Sequence, residues 1–483
     1  MKNLPTFLSS FFCSPAKAGG HLRSLRHSAD GGGQTRVQVM GPCLRRGTVL
    51  TGLGGALVAA LVLAAPATAQ DIAITNAKLV IGDGSAPIEG GTVVVRGGKV
   101  VAAGAGVAVP AGVERVDAGG RWVTPGIVAA FSRVGLVEVD AVTGTNDRNA
   151  PRTRFSAGLD IAPALNPMGS PVSVNRASGV TRAIVAPGGS SNLFAGQGAV
   201  VDLADDMDMV TKPRALQFVA FGEAGSAKAG GSRAATFLLF REQLLAARSY
   251  ARNPATFAEW GNDAMIQRAD ADALVQVING TTPLFVRVDR AADIVNVLKL
   301  RQEFPALKLV LVGVTEGWLV ARELAAAKVP VLVSPLTDLP SSFEQLGATQ
   351  SNAGRLKAAG VDVSVGVFDD DDAHKMGYAT QYAGNLVGLA RLPGASGMTW
   401  DQAFASISSA PARAVGMEAS IGSLRPGRVG DVVMWDNDPL ELGSRPTAIW
   451  IDGKAQSLTT RQDRLRDRYA TPSEGALPKA YDR

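Results

Sequence analysis

From Asp71 onward the chain alternates short apolar runs with tight turns. Residues 92–95 and 100–102 are apolar and β-branched, and Gly97-Gly98 between them predicts a two-residue hairpin. Near the far end residues 431–435 and 448–451 repeat this style, with Asp452-Gly453 as another turn. Between these ends the period changes. Apolar runs at 285–288, 309–312, 331–334 and 363–367 are separated by stretches of helical period, such as 292–302 and 315–328. Strands alternating with helices build βαβ units and a parallel sheet. Sustained over about 290 residues, that pattern has the size of a (β/α)8 barrel. The expected organisation is an α/β, TIM-like barrel over 125–415, a small composite β-sandwich from 71–124 and 416–455, and a polar tail at 456–483.

The first 69 residues differ from the rest. They hold seven of the 48 basic residues and one of the 43 acidic ones, leaving 41 and 42 beyond, so the body is neutral despite a formal charge of +5 overall. A neutral body gives no electrostatic argument for nucleic acid. Arg45-Arg46, an apolar core at 53–65 and Ala67-Thr68-Ala69 form a secretory signal peptide with cleavage after Ala69. Residues 1–39 fit no export signal, which makes Met40 the expected start. The mature chain is then periplasmic or secreted and has no membrane association. Both cysteines, Cys13 and Cys43, and two of three histidines lie in this leader. The body therefore has no disulfide, no thiolate and one histidine, His374.

Several phrases in order resemble the amidohydrolase superfamily, particularly its exported, imidazolonepropionase-like branch. They are Val123-Thr124-Pro125-Gly126-Ile127-Val128, Gly179-Val180-Thr181, Ala195-Gly196-Gln197-Gly198-Ala199 and Arg290-Ala291-Ala292-Asp293-Ile294. Thr315-Glu316, Ala383-Gly384-Asn385 and Gly422-Ser423-Leu424-Arg425-Pro426-Gly427 follow. The resemblance covers roughly residues 71–455. It implies hydrolysis of non-peptide C–N bonds by one or two metal ions that activate water and polarise a carbonyl.

The residues that carry such chemistry are replaced here. The resemblance puts histidines of the first strand at Phe131 and Arg133, where Phe131-Ser132-Arg133 stands for His-x-His, and an aspartate at Ala129. It aligns further histidines with Arg287 and Asp289 on the fifth strand and with Gly313 on the sixth. Arginine does not deprotonate to bind a cation, and phenylalanine and glycine offer no side-chain ligand. A four-histidine zinc site cannot be built from one histidine, so no cofactor is expected.

The remaining polar cluster is Asp369, Asp370, Asp371 and Asp372 with His374, just after the apolar run at 363–367. The resemblance implies that one of these aspartates matches a metal-binding, proton-shuttling residue. The cluster reads in three ways: as a carboxylate that, with Asp289, pairs with Arg133 and Arg287 across the barrel mouth, as oxygen ligands for Ca²⁺ or Mg²⁺, or as a solvated loop. His374 is a candidate general base or an ordinary hydrogen-bonded loop residue. Gly188-Gly189-Ser190-Ser191-Asn192 reads as a loop at the same mouth, and Glu223 could line it.

Three functions are compatible with this chain. The first is a degenerate, metal-free family member with little or no hydrolysis that forms a homo-oligomer or assembles with an active relative. The second is a metal-independent or single-metal hydrolase using the aspartate cluster and His374. The third is a periplasmic binder of an anionic small molecule, gripped by arginine.

Overall fold

The structure is a computed structural model that describes residues 70–257, 265–335, 337–368 and 372–470. The leader with Met40 and the cleavage position, together with Asp369, Asp370, Asp371 and the tail after Ala470, lie outside the described residues.

Strands from the two ends of the chain share one eight-stranded sheet. The hairpin Ile88–Arg96 and Lys99–Gly104 turns at Gly97 and Gly98, whose φ of 55° and 77° are the positive pair that a type I′ turn requires. Trp122–Pro125 pairs antiparallel with Val432–Trp435, Thr124 opposite Val433, and this ladder joins the N-terminal strands to the C-terminal ones. Ile74, Leu79, Val93, Val123 and Val432 pack together on one face.

The second sheet is a nearly closed barrel of eight strands. In chain order they are β1 (Ile127–Ser132), β2 (Val180–Val185), β3 (Phe194–Asp202) and β4 (Val210–Ala220). β5 (Leu284–Val288), β6 (Leu309–Gly313), β7 (Val331–Val333) and β8 (Val363–Val365) complete it. Each strand hydrogen-bonds its sequence neighbours, and the ladder runs from β1 to β8 without returning. One strand departs from a uniformly parallel sheet: β3 runs antiparallel to β2 and β4. The reason is local. The connections on either side of β3 hold no helix, and a connection without a crossover returns the chain antiparallel.

Residue parity assigns the two faces. Phe285, Val310, Val312 and Leu332 fill the barrel interior with Phe131 and Phe218. Val286, Leu311, Val331 and Val333 face outward onto the helices. A strand covered on both faces is apolar throughout, which is why these segments read as runs and not as alternation. Between β5 and β6 lies helix Ala291–Glu303. After β6 the expected helix is divided into a 3-10 turn, Gly317–Val320, and helix Ala321–Ala327. The tail forms an exposed helix, Arg461–Ala470. Among the described residues no helix is long and apolar enough to cross a membrane.

One charged cluster fastens sheet to barrel. Arg182 on β2 is 2% exposed. Its Nε and Nη2 donate to Asp431 at 2.7 and 3.1 Å, and Nη2 also donates to Asp452 at 2.6 Å. Nη1 donates to Thr211 at 2.7 Å and to Asp202 at 3.4 Å. Three carboxylates therefore surround one guanidinium. Burial raises the pKa of Asp202 to about 6 against the partial opposition of Arg182, and burial together with Asp431 raises that of Asp452.

The folded chain thus keeps a proton on Asp202 that the unfolded chain has released. Stability from this group is complete below the unfolded value of 3.8 and is lost as pH rises through about 6. Asp202→Asn should flatten the dependence of the urea midpoint on pH across that window. An unchanged slope would remove Asp202 as its source.

Candidate functional site

The C-terminal ends of the barrel strands form the mouth, where this architecture places its chemistry. β1 delivers Phe131, Ser132 and Arg133 there. Phe131 is 1% exposed, and its ring lies 5.5 Å from those of Phe218 and Phe368. The three rings form an apolar floor beneath the mouth. Arg133 crosses the Phe131 ring at 5.3 Å, within cation–π range.

Arg133 Nη1 makes an ion pair with Asp372 Oδ2, and the Asp372 side chain is 1% exposed. Ser132 Oγ donates to the Asp372 carbonyl at 3.0 Å and accepts from Val134 N at 2.9 Å. The last residue of β1 and the residue after it therefore hold the chain that follows β8. Burial pulls the Arg133 guanidinium below its ordinary value, Asp372 opposes this, and Arg148 and Arg287 add to it by repulsion. Arg133 therefore feels two further guanidinium groups. Arg148 has its own partner, Asp140, at 2.8 Å.

Arg287 follows Phe285 by two residues on β5 and so points to the same side, up into the mouth. It lines a cavity of about 240 Å³ with Asp289, Thr315, Ser334, Thr337 and Gln345. The expected pairing of Arg287 with Asp289 is not formed. Asp289 instead accepts from Thr315 Oγ1 at 2.6 Å and Thr315 N at 3.2 Å, turned toward the neighbouring strand end. Gly313 allows this: its φ is +90°, and a Cβ there would lie 2.5 Å from Asp289 Oδ1. Among the described residues Arg287 makes no ion pair.

Other sequence candidates separate. His374 Nε2 lies 3.0 Å from the Glu138 carbonyl, an ordinary loop hydrogen bond. The turn at 188–192 is occupied by its own bonds, because Ser190 Oγ donates to the Phe194 carbonyl at 2.6 Å and Asn192 Oδ1 accepts from Gln243 at 3.0 Å. Glu223 is exposed, and its backbone N–H donates to Glu344 at 2.8 Å. Glu316 is also structural, with its two carboxylate oxygens accepting from Ala291 N and Gly347 N at 2.9 and 3.0 Å.

The sequence reading missed Arg148, Thr315 and Lys228. Lys228 is half-buried against the turn at Gly189, and burial lowers its pKa. Arg148 and Lys228 belong to no recognisable phrase, and Thr315 enters the sequence reading only within Thr315-Glu316, with no site role. Only the approach of separate loops brings them to the mouth.

The described side chains of the mouth do not by themselves supply a set of metal ligands. Among the described residues no three His, Cys, Asp or Glu side chains gather as a metal-holding group. The Asp372 carboxylate is engaged by Arg133, that of Asp289 by Thr315, and His374 faces a carbonyl. Arg148 and Arg287 add positive charge near Arg133.

The two arginines should therefore differ under substitution. Asp372→Asn leaves Arg133 without its counter-charge in a partly dry site and should cost about 3–5 kcal/mol of stability. Arg287→Ala breaks no ion pair and should shift the unfolding midpoint no more than a surface control. Equal effects in denaturation would contradict this division.

Comparison with known proteins agrees with this architecture. Residues 306–460, from the approach to β6 through the end of the composite sheet, match the model of the amidohydrolase family. The solved amidohydrolase of Thermotoga maritima MSB8 superposes with a TM-score of 0.69 at 25% identity, covering 81% of this chain and all of that one. The amidohydrolase tasK of Hapsidospora irregularis is 43% identical over 60 residues, 12% of this chain and only 6% of that protein's length. Residues 306–460 thus match the amidohydrolase family, within a chain that has the barrel fold of a solved amidohydrolase.

Proposed function

We propose that this protein is an amidohydrolase-type barrel whose hydrolytic centre has been replaced by an arginine–aspartate site, so that it hydrolyses non-peptide C–N bonds little or not at all. The observation that carries this reading is the ion pair of Arg133 with Asp372 on the Phe131 ring. An aspartate committed to a buried guanidinium is poorly placed to accept a proton from water, and arginine supplies neither a base nor a ligand. In this reading the imidazolonepropionase-like resemblance describes ancestry. The chain acts as a metal-free, exported member in the periplasm or outside the cell, assembled with itself or with an active relative.

A second reading rests on a separate observation. Arg287 faces a cavity that Ser334 and Thr337 line with hydroxyl groups. A guanidinium with convergent hydroxyl donors suits a carboxylate or another small anion. Such a ligand would make the mouth a binding site.

Metal analysis of dialysed protein, run beside a screen of amide, lactam and dipeptide hydrolysis, tests the main reading. The expected result is no stoichiometric zinc and no turnover above the uncatalysed rate. One or two zinc ions per chain together with turnover would overturn it. Binding of small carboxylates that disappears in Arg287→Gln would favour the second reading.

A further inference from the structure

At the opposite end of the barrel, below the N-terminal ends of β4 to β7, lies a cavity of about 340 Å³. Lys212, Arg301, Lys308, Lys328 and Arg413 reach it from five separate segments. No aspartate or glutamate is among its described lining residues. Buried Leu309 and Val329 give it an apolar wall, and Thr281 adds a hydroxyl.

Structural roles account for part of this charge. Arg413 is held by Asp362 through bonds of 2.8 and 2.7 Å. Arg301 Nη1 donates to the Ala327 carbonyl at 2.8 Å, at the C-terminal end of helix Ala321–Ala327. Lys212 Nζ donates to the Val415 carbonyl at 3.4 Å, the C-cap of helix Ser409–Ala414. A helix C-terminus carries roughly half a negative charge, so two ends and one carboxylate offset about two of the positive charges. About three remain, and among the described residues neither Lys308 nor Lys328 makes an ion pair.

Several cations converging on a concave surface favour a ligand with several negative charges. Phosphate oxygens match both the guanidinium fork and the mobile ammonium groups. We propose that this cavity binds a small, multiply charged anion of the phosphate class, at a site separate from the mouth. It lies at the end of the barrel that does not carry chemistry, so its occupation would act on stability or assembly. A free phosphorylated solute and a lipid headgroup present the same chemistry to it.

Titration calorimetry of the full chain with inorganic pyrophosphate, with chloride as a control at equal ionic strength, tests the site. Vesicles of phosphatidylglycerol and of phosphatidylcholine test the lipid source in parallel. Pyrophosphate should bind saturably, and Lys212→Gln with Lys308→Gln should weaken it about tenfold or more, as expected when charge-assisted bonds are lost. Exposed Lys308→Gln alone should weaken it less while leaving the unfolding midpoint unchanged. Arg287→Gln at the mouth should have no effect, which keeps this test independent of the proposed function. Capture by phosphatidylglycerol alone, lost in the double variant, supports the site with a headgroup as its ligand. Binding to neither probe, or binding that Arg287→Gln abolishes and the double variant keeps, would overturn the proposal.

Discussion

A sheet that curls into a barrel must bring its first and last strands together, and here Asp372 makes that junction. The ladder ends at β1 on one side and β8 on the other. Across the gap Ser132 takes the Asp372 carbonyl and Arg133 takes its carboxylate. Nearby, Asn175 Nδ2 donates to the Ala373 carbonyl at 2.8 Å, and Val128 N donates to the Ile407 carbonyl at 3.0 Å. Side chains thus replace part of the missing ladder. Fold and candidate site share one ion pair, so a change made for chemistry also changes barrel closure.

The fixed relation of sheet to barrel rests on a second buried charge. Arg182 lies on a barrel strand, whereas Asp431 and Asp452 belong to the C-terminal part of the composite sheet. Packing supports the same junction: Trp435 Nε1 donates to Thr124 Oγ1 at 3.0 Å, and its ring abuts Gly179. Removing the cation would leave the buried Asp202 and Asp431 carboxylates, with the half-exposed Asp452, facing one another unpaired, a cost that apolar packing alone would not offset. Carboxylates outnumber the guanidinium in this cluster, which makes the junction sensitive to proton concentration.

The mouth and the opposite face carry positive charge in different settings. At the mouth an aromatic floor excludes water, which strengthens the Arg133–Asp372 attraction and the repulsion from Arg148 and Arg287 alike. At the other end the cations are half-buried or exposed, and helix C-termini draw two of them inward. The first arrangement commits its carboxylate to structure, while the second leaves positive charge free for a solute.

The sequence by itself determined the barrel class, because doubly covered strands must be apolar and the helices between them must show a longer period. The family resemblance put Phe131, Arg133, Arg287 and Asp289 at the strand ends, and a period of two sets each pair on one side of the chain. Tertiary structure alone decided their partners. Asp289 is one residue from Arg290 and two from Arg287 in sequence, yet it bonds Thr315, because Gly313 leaves room across the adjacent strand end. Arg133 finds its partner 239 residues away. The antiparallel course of β3 and the Arg182 cluster were equally hidden, because neither leaves a periodic trace. Local pattern records which face a residue occupies, whereas a charge pairs with whatever the closed barrel brings within a few ångströms, and that distance does not exist until the chain has folded.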